Sequence, residues 1–150
     1  MNYANDKFIL VVLTLILDIC LLYILFNTIN KKIDKVFIYV FLIIHMIFYI
    51  ALYSYNTLIL DICHGFVFIG IYGSVFLSNI YLILLCLLLL ICIKILFKLN
   101  GNRCVLETCE KRSYGYFLDN YYDKIQNLFI IILSLRIIYV LHYEKCLSRD

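Results

Sequence analysis

Five ionisable side chains lie inside long apolar stretches of this sequence: Asp18, His45, Asp61, His64 and Arg136. An ionisable group within hydrocarbon costs free energy unless a partner neutralises it, so each of the five is a functional candidate. Two acids, one arginine and two histidines can also neutralise one another. We therefore expect them to form one buried polar cluster that holds transmembrane helices together, with Asp18 and Arg136 as an opposite-charge pair within it.

Two other kinds of chemistry fit the same residues. Histidine titrates near neutral pH and carboxylates relay protons, so the two aspartates and the two histidines could form a path for protons or ions. His45 and His64 fall on neighbouring apolar stretches at similar depth, and imidazole binds iron, copper and zinc, which makes them candidate ligands for a metal ion or haem. No Glu-x-x-His pair accompanies them, and we expect no cofactor.

The apolar stretches that must position these residues are long enough to cross a membrane. Apolar residues make up 65% of the 150 residues and charged residues 15%, whereas a hydrocarbon core about 30 Å thick needs about 20 helical residues. We predict an all-α integral membrane protein with a single transmembrane domain, a bundle of five helices. Its apolar segments cover residues 8–26, 36–53, 58–77, 80–99 and 128–143.

The positive charges of the loops create a conflict about topology. Lysine-rich loops favour the cytoplasmic side of a membrane, and both the 27–35 loop and the 94–124 region carry several basic residues. Three spans between them place the two regions on opposite sides. The alternative is four spans plus a re-entrant third segment. We favour five helices, because the charge rule weakens when later charges compete.

The third and fourth segments differ in pattern. Gly70, Ser74 and Ser78 recur at four-residue spacing along the third, and small residues let membrane helices approach each other closely. We expect these three residues to pack against a neighbour and the third helix to lie at the centre of the bundle. The fourth segment is almost pure Leu and Ile in its middle, and we expect it on the lipid-facing outside.

Residues 100–127 are the one sizeable polar segment. We expect a loop whose aromatic stretch, SYGYFLDNYY, lies on the membrane interface. Of the seven cysteines, Cys104 and Cys109 lie in this loop and could form a disulfide in an oxidising compartment. The cysteine spacing is not that of a zinc site.

The start of this loop, Asn100 to Glu110 (NGNRCVLETCE), directly follows a long apolar span. It resembles a turn in small uncharacterised multi-span membrane proteins of large AT-rich DNA viruses, where an Asn-rich turn is followed by Cys-x-Leu-Thr and a Glu. In this chain Glu107 stands before Thr108, and Phe97-Lys98 replaces an aromatic or histidine-bearing span end. The resemblance implies a viral protein of a host or virion membrane, and it implies no activity and no catalytic residues.

Composition narrows the classes of function. The net charge is only +3 and the basic residues are divided among short loops, so we expect no nucleic-acid partner. The sequence contains no phosphate loop or hydrolase motif, and we do not expect an enzyme. We expect a structural or membrane-assembly protein that packs in the lipid bilayer with copies of itself or with partner membrane proteins. The proton or ion conductor and the metal or haem protein are the alternatives.

Overall fold

Five long helices account for the secondary structure of the part of the chain that the computed structural model describes. That part comprises residues 3–28, 31–54, 56–99 and 115–147, with side chains described for 8–28, 31–54, 56, 58–99 and 124–143. The proposed Cys104–Cys109 disulfide and the virus-like turn at residues 100–110 lie outside it. The interfacial placement of the aromatic stretch also falls on side chains outside it.

The helices are α1 (Tyr3–Asn27), α2 (Lys32–Ser54), α3 (Thr57–Gly73), α4 (Ile80–Leu99) and α5 (Gly115–Leu147), with a 3₁₀ turn at Ser74–Phe76 after α3. Each contains a stretch long and apolar enough to cross a membrane: Phe8–Asn27, Lys32–Ser54, Leu58–Phe76, Ile80–Leu99 and Lys124–Tyr143. No strand occurs among the described residues. The prediction of an all-α bundle of five membrane-compatible helices is therefore confirmed.

The last helix begins earlier than its apolar pattern indicates. Residues 115–127, expected to be part of a loop, are already helical in α5. The chain has no proline, so nothing stops the helix from extending N-terminally beyond its apolar stretch. This extension gives α5 33 residues, more than one membrane crossing requires.

The α1–α2 connection lies at the same end of the bundle as the turn between α3 and α4. The Thr28 carbonyl accepts a hydrogen bond from Asn79 Nδ2 at 3.0 Å, and the Ser78 backbone N–H donates to Asp34 Oδ1 at 3.1 Å. Helix α2 has 23 residues and is about 34 Å long, so the α2–α3 turn lies at the opposite end. Helix α3 thus runs the full height of the bundle, and the alternative of a re-entrant third segment is not observed.

One face of the fourth helix packs into the core of the bundle, whereas its composition predicts a helix on the lipid-facing outside. Its opposite face, which includes Leu84 and Leu88, is exposed. Leu82, Ile83 and Leu90 are fully buried, and the most extensive helix packing is between α4 and α5 and between α2 and α3. Leu133 of α5 is fully buried in the same core cluster. A uniform run of Leu and Ile shows no apolar stripe, so the sequence cannot indicate which side a neighbour covers.

Candidate functional site

A polar contact in the middle of the membrane region joins α1 to α2. His45 Nδ1 lies 2.5 Å from Asp18 Oδ1, and the Tyr49 hydroxyl donates to Asp18 Oδ2 at 2.8 Å. His45 and Tyr49 are four residues apart, so their side chains project from the same face of α2. The two carboxylate oxygens of Asp18 therefore each have a partner on the neighbouring helix.

This contact is shielded from the surroundings. The side chain of His45 is 4% exposed and that of Asp18 is 17% exposed, and the ring of Phe41 packs edge-on against His45 with centroids 5.9 Å apart. Charged and polar interactions are stronger where water is excluded. The contact therefore fixes both the register of α1 on α2 and the orientation of the imidazole ring.

A cavity of about 310 Å³ lies beside this contact, between the first four helices. Its walls are mostly aliphatic and aromatic side chains, such as Leu17 from α1, Phe48 from α2, Val67 from α3 and Leu89 from α4. His45 and His64 both line it. The structure thus brings the two candidate histidine ligands to one cavity, together with Asp18 behind the first of them.

His64 lies on α3 in a half-buried position. Its ring is 4.9 Å from that of Phe68, one turn further along the same helix. Within the described residues there is no group of three or more His, Cys, Asp or Glu side chains that could hold a metal ion.

The other expected members of the polar cluster lie elsewhere. Asp61 is exposed on the surface of α3. Arg136 of α5 donates from Nη2 to the carbonyl oxygen of Leu77 at 3.2 Å, and its guanidinium lies 5.3 Å from the ring centre of Tyr139. The partners of Asp18 are therefore His45 and Tyr49 rather than Arg136, and the expected single cluster of five residues is not observed.

The position of Arg136 has a simple physical reason. Leu77 follows the 3₁₀ turn that ends the third span, where backbone carbonyls lack helical partners. A cation near the C-terminal end of a helix satisfies such a carbonyl and interacts favourably with the helix dipole. Arg136 thus ties α5 to the end of the third span.

The three small residues expected to form one packing face have three different environments. Gly70 lies against the ring of Phe41, where a Cβ atom would come within 2.0 Å of Cζ. Ser74 is fully buried and donates to the Ile71 carbonyl at 2.6 Å. Ser78 lies beyond the helix in the α3–α4 turn, so it does not extend the face of α3.

The α3–α4 turn carries a polar contact that the sequence did not reveal. Asn79 Oδ1 accepts from the backbone N–H groups of Tyr81 and Leu82, which makes Asn79 the N-cap of α4, while its Nδ2 donates to the Thr28 carbonyl. Asp34, 2% exposed, accepts from the Ser78 N–H. An Asn directly before an apolar run is a recognised helix-start signal, but its second partner is 51 residues away.

Two further polar side chains lie inside the bundle although no sequence pattern marks them clearly. Tyr49 follows His45 by four residues, and that spacing could have marked it as a second partner for Asp18. Gln126 of α5 is fully buried, and neither its Nε2 nor its Oε1 has a hydrogen-bond partner among the described residues. A single glutamine at the start of an apolar run gives no such signal.

Comparison with protein family models, curated proteins and solved structures finds no match to this chain. The site must therefore be interpreted from its own chemistry.

Proposed function

We propose that this chain is a structural component of a membrane assembly, in which α3 packs against a transmembrane helix of another protein. The observation that carries the proposal is the outer face of α3, formed by Asp61, Gly65, Ile69 and Gly73 at four-residue intervals. Asp61 and Gly65 are exposed, and Ile69 is 67% exposed. We refer to these four residues as the outer face of α3.

The glycines of this face make no close packing contact with the described residues. A Cβ atom added to Gly65 or to Gly73 would meet no atom within 4 Å, in contrast to Gly70, where it would collide with Phe41. In a membrane, glycines on a helix surface allow a second helix to approach closely and to gain van der Waals contact. The outer face therefore has the shape of a helix-packing surface, and no helix of the described part of the chain packs on its glycines.

Asp61 adds a polar group to the same face and favours a particular kind of partner. An aspartate in a membrane helix costs roughly 2.5 to 3.5 kcal/mol at the centre of the span and less near its ends. A neighbouring helix that donates a hydrogen bond to the carboxylate would reduce this cost. Two copies of this chain inserted in the same orientation would place Asp61 opposite Asp61, where like charges repel. We therefore propose a partner helix that carries Lys, Arg, Asn or Gln at this depth.

The experiment is site-specific photocrosslinking in the membrane that contains the chain. A photoreactive amino acid replaces Ile69 on the outer face, and Ile131 of α5, 57% exposed, serves as the control position of the same residue type. We expect protein adducts at position 69 well above those at position 131, and we expect Gly65→Leu to remove them. An adduct of twice the mass of the chain would assign the face to self-association instead of a second protein.

Two results would overturn the proposal. The first is a position-69 probe that labels proteins no more than the position-131 probe does. The second is a position-69 adduct that persists at full yield in Gly65→Leu, because a helix that packs on the glycine could not tolerate a leucine there.

A further inference from the structure

The cavity beside His45 has the size and lining of a ligand site. An engineered cavity of about 150 Å³ holds one benzene ring, so a cavity of about 310 Å³ has room for about two fused rings. Binding sites for small molecules are typically apolar concavities with a few oriented polar groups. Here the walls are apolar and one imidazole is held in place by a carboxylate.

His45 presents an unused nitrogen to this cavity. Nδ1 is engaged with Asp18, while Nε2 forms no hydrogen bond with any described residue. Although Nε2 has no partner, it is not one of the fully buried side-chain atoms without a partner in the described part of the chain. It therefore retains some accessible surface. Because His45 is one of the residues that line the cavity, we infer that this surface faces the cavity.

The surroundings determine whether Nε2 donates or accepts. A site in hydrocarbon disfavours net charge, and the Asp18–His45 pair has two electroneutral forms. In one, a carboxylate faces an imidazolium; in the other, a carboxylic acid donates to the Nδ1 of a neutral imidazole. Both forms place a proton on Nε2, so His45 offers the cavity an N–H donor.

Two other polar side chains of the cavity wall have their hydrogens engaged. The Thr14 hydroxyl donates to the Leu10 carbonyl at 2.8 Å, and the Cys63 thiol donates to the Ile44 carbonyl at 3.9 Å. The first bond joins a side chain of α1 to the backbone of the same helix, and the second joins α3 to α2. His45 Nε2 is thus an oriented donor that a ligand can use without breaking a contact of the protein.

We propose that the cavity binds a membrane-soluble molecule of about two fused rings that carries a carbonyl oxygen, and that this oxygen accepts a hydrogen bond from His45 Nε2. The apolar walls bind the ring system, and the N–H group selects the carbonyl. This site is separate from the outer face of α3 and does not depend on the proposed assembly role.

A matched pair of probes tests the proposal. The quinone 2,3-dimethyl-1,4-naphthoquinone has the ring size and carbonyl groups required, and 2,3-dimethylnaphthalene has the same skeleton without oxygen. The methyl groups at positions 2 and 3 of the quinone prevent the cysteine thiols of the cavity from adding to its ring. With the full chain in lipid nanodiscs, equilibrium dialysis against empty nanodiscs should show saturable binding of the quinone at least tenfold tighter than that of the hydrocarbon.

Variants locate the binding in the cavity. Leu89→Trp fills the cavity from α4 and should remove saturable binding, whereas Leu84→Trp on the same helix, at a position 42% exposed and outside the lining, should leave it unchanged. His45→Phe should bind both probes equally, with its helical content checked by circular dichroism. Equal affinity of both probes for the unmodified chain, or full quinone binding in Leu89→Trp, would overturn the proposal. Neither outcome bears on photocrosslinking at Ile69.

Discussion

The ring of Phe41 occupies the space where a side chain at Gly70 would begin. A Cβ atom at Gly70 would lie 2.0 Å from Cζ and 2.1 Å from Cε2 of that ring. Phe41 is 4% exposed and also stacks on Phe37, with ring centroids 4.6 Å apart, so it has little room to move. The contact between α2 and α3 at this level therefore favours glycine over any larger residue.

We expect Gly70→Ala to lower the free energy of unfolding by about 1 to 3 kcal/mol, the usual cost of overpacking a core. Adding Phe41→Leu should recover part of this loss, since the smaller side chain makes room for the methyl group. The free energies of unfolding of the single and the double variant are measured by unfolding in mixed micelles with increasing SDS. Gly65→Ala, where the added Cβ meets open space, is the control and should not lower the free energy of unfolding, because alanine has the higher helix propensity. Equal losses at positions 65 and 70 would contradict this explanation.

The Asp18–His45 contact predicts an energetic coupling between these two residues. In a double-mutant cycle with Asp18→Ala and His45→Ala, we expect a coupling free energy of about 0.6 to 1.7 kcal/mol, the range found for polar contacts between membrane helices. A second cycle of Asp18→Ala with Arg136→Ala should give no coupling above about 0.5 kcal/mol, because these residues have different partners. Coupling between Asp18 and Arg136, with none between Asp18 and His45, would contradict this prediction and support the pair that opposite charge favours.

Two substitutions of Asn79 should separate its two roles at the start of α4, which are the N-cap and the hydrogen bond to Thr28. Asn79→Ala removes both the N-cap and the bond to Thr28, and it should cost about 1 to 2 kcal/mol. Asn79→Asp keeps a side-chain oxygen for the Tyr81 and Leu82 amides but loses the donor to Thr28, so it should cost less. Hydrogen exchange of the Leu82 amide, followed by mass spectrometry, reports the cap. If the Leu82 amide exchanged as fast in Asn79→Asp as in Asn79→Ala, the side-chain oxygen at position 79 would not act as the cap.

We expect the protein to become more stable when Gln126 is replaced by an apolar residue. Its amide is fully buried, and neither polar atom has a partner in the described part of the chain. A buried group without hydrogen bonds costs about 1 to 3 kcal/mol, so Gln126→Leu should raise the free energy of unfolding by an amount in this range. Asn127→Leu at the next position, which is exposed and contacts Lys94, should give no increase. Loss of stability in Gln126→Leu would show that the amide has a partner in the membrane.

The candidate site was only partly predictable from the sequence. The sequence identifies Asp18 and His45 as ionisable groups that need partners, because an unpaired ionisable side chain in hydrocarbon costs free energy. Which partner each one finds depends on the register and rotation of the helices. Opposite charge favoured Arg136 for Asp18, but the packing of α1 on α2 brings His45 and Tyr49 to it instead.

Five long apolar helices can be predicted from the sequence alone, because length and hydropathy are local properties of each segment and the membrane thickness sets how many residues a span needs. The sequence also determines which residues are ionisable inside those spans. The tertiary structure was needed to show that α3 runs the full height of the bundle, that one face of α4 is buried in the core with α5, and that His45 and His64 line one cavity while Asp61 faces outward. These features depend on helix rotation and on contacts such as Asn79 with Thr28, 51 residues apart. A nearly uniform apolar sequence does not encode such rotation in any pattern that can be read along the chain.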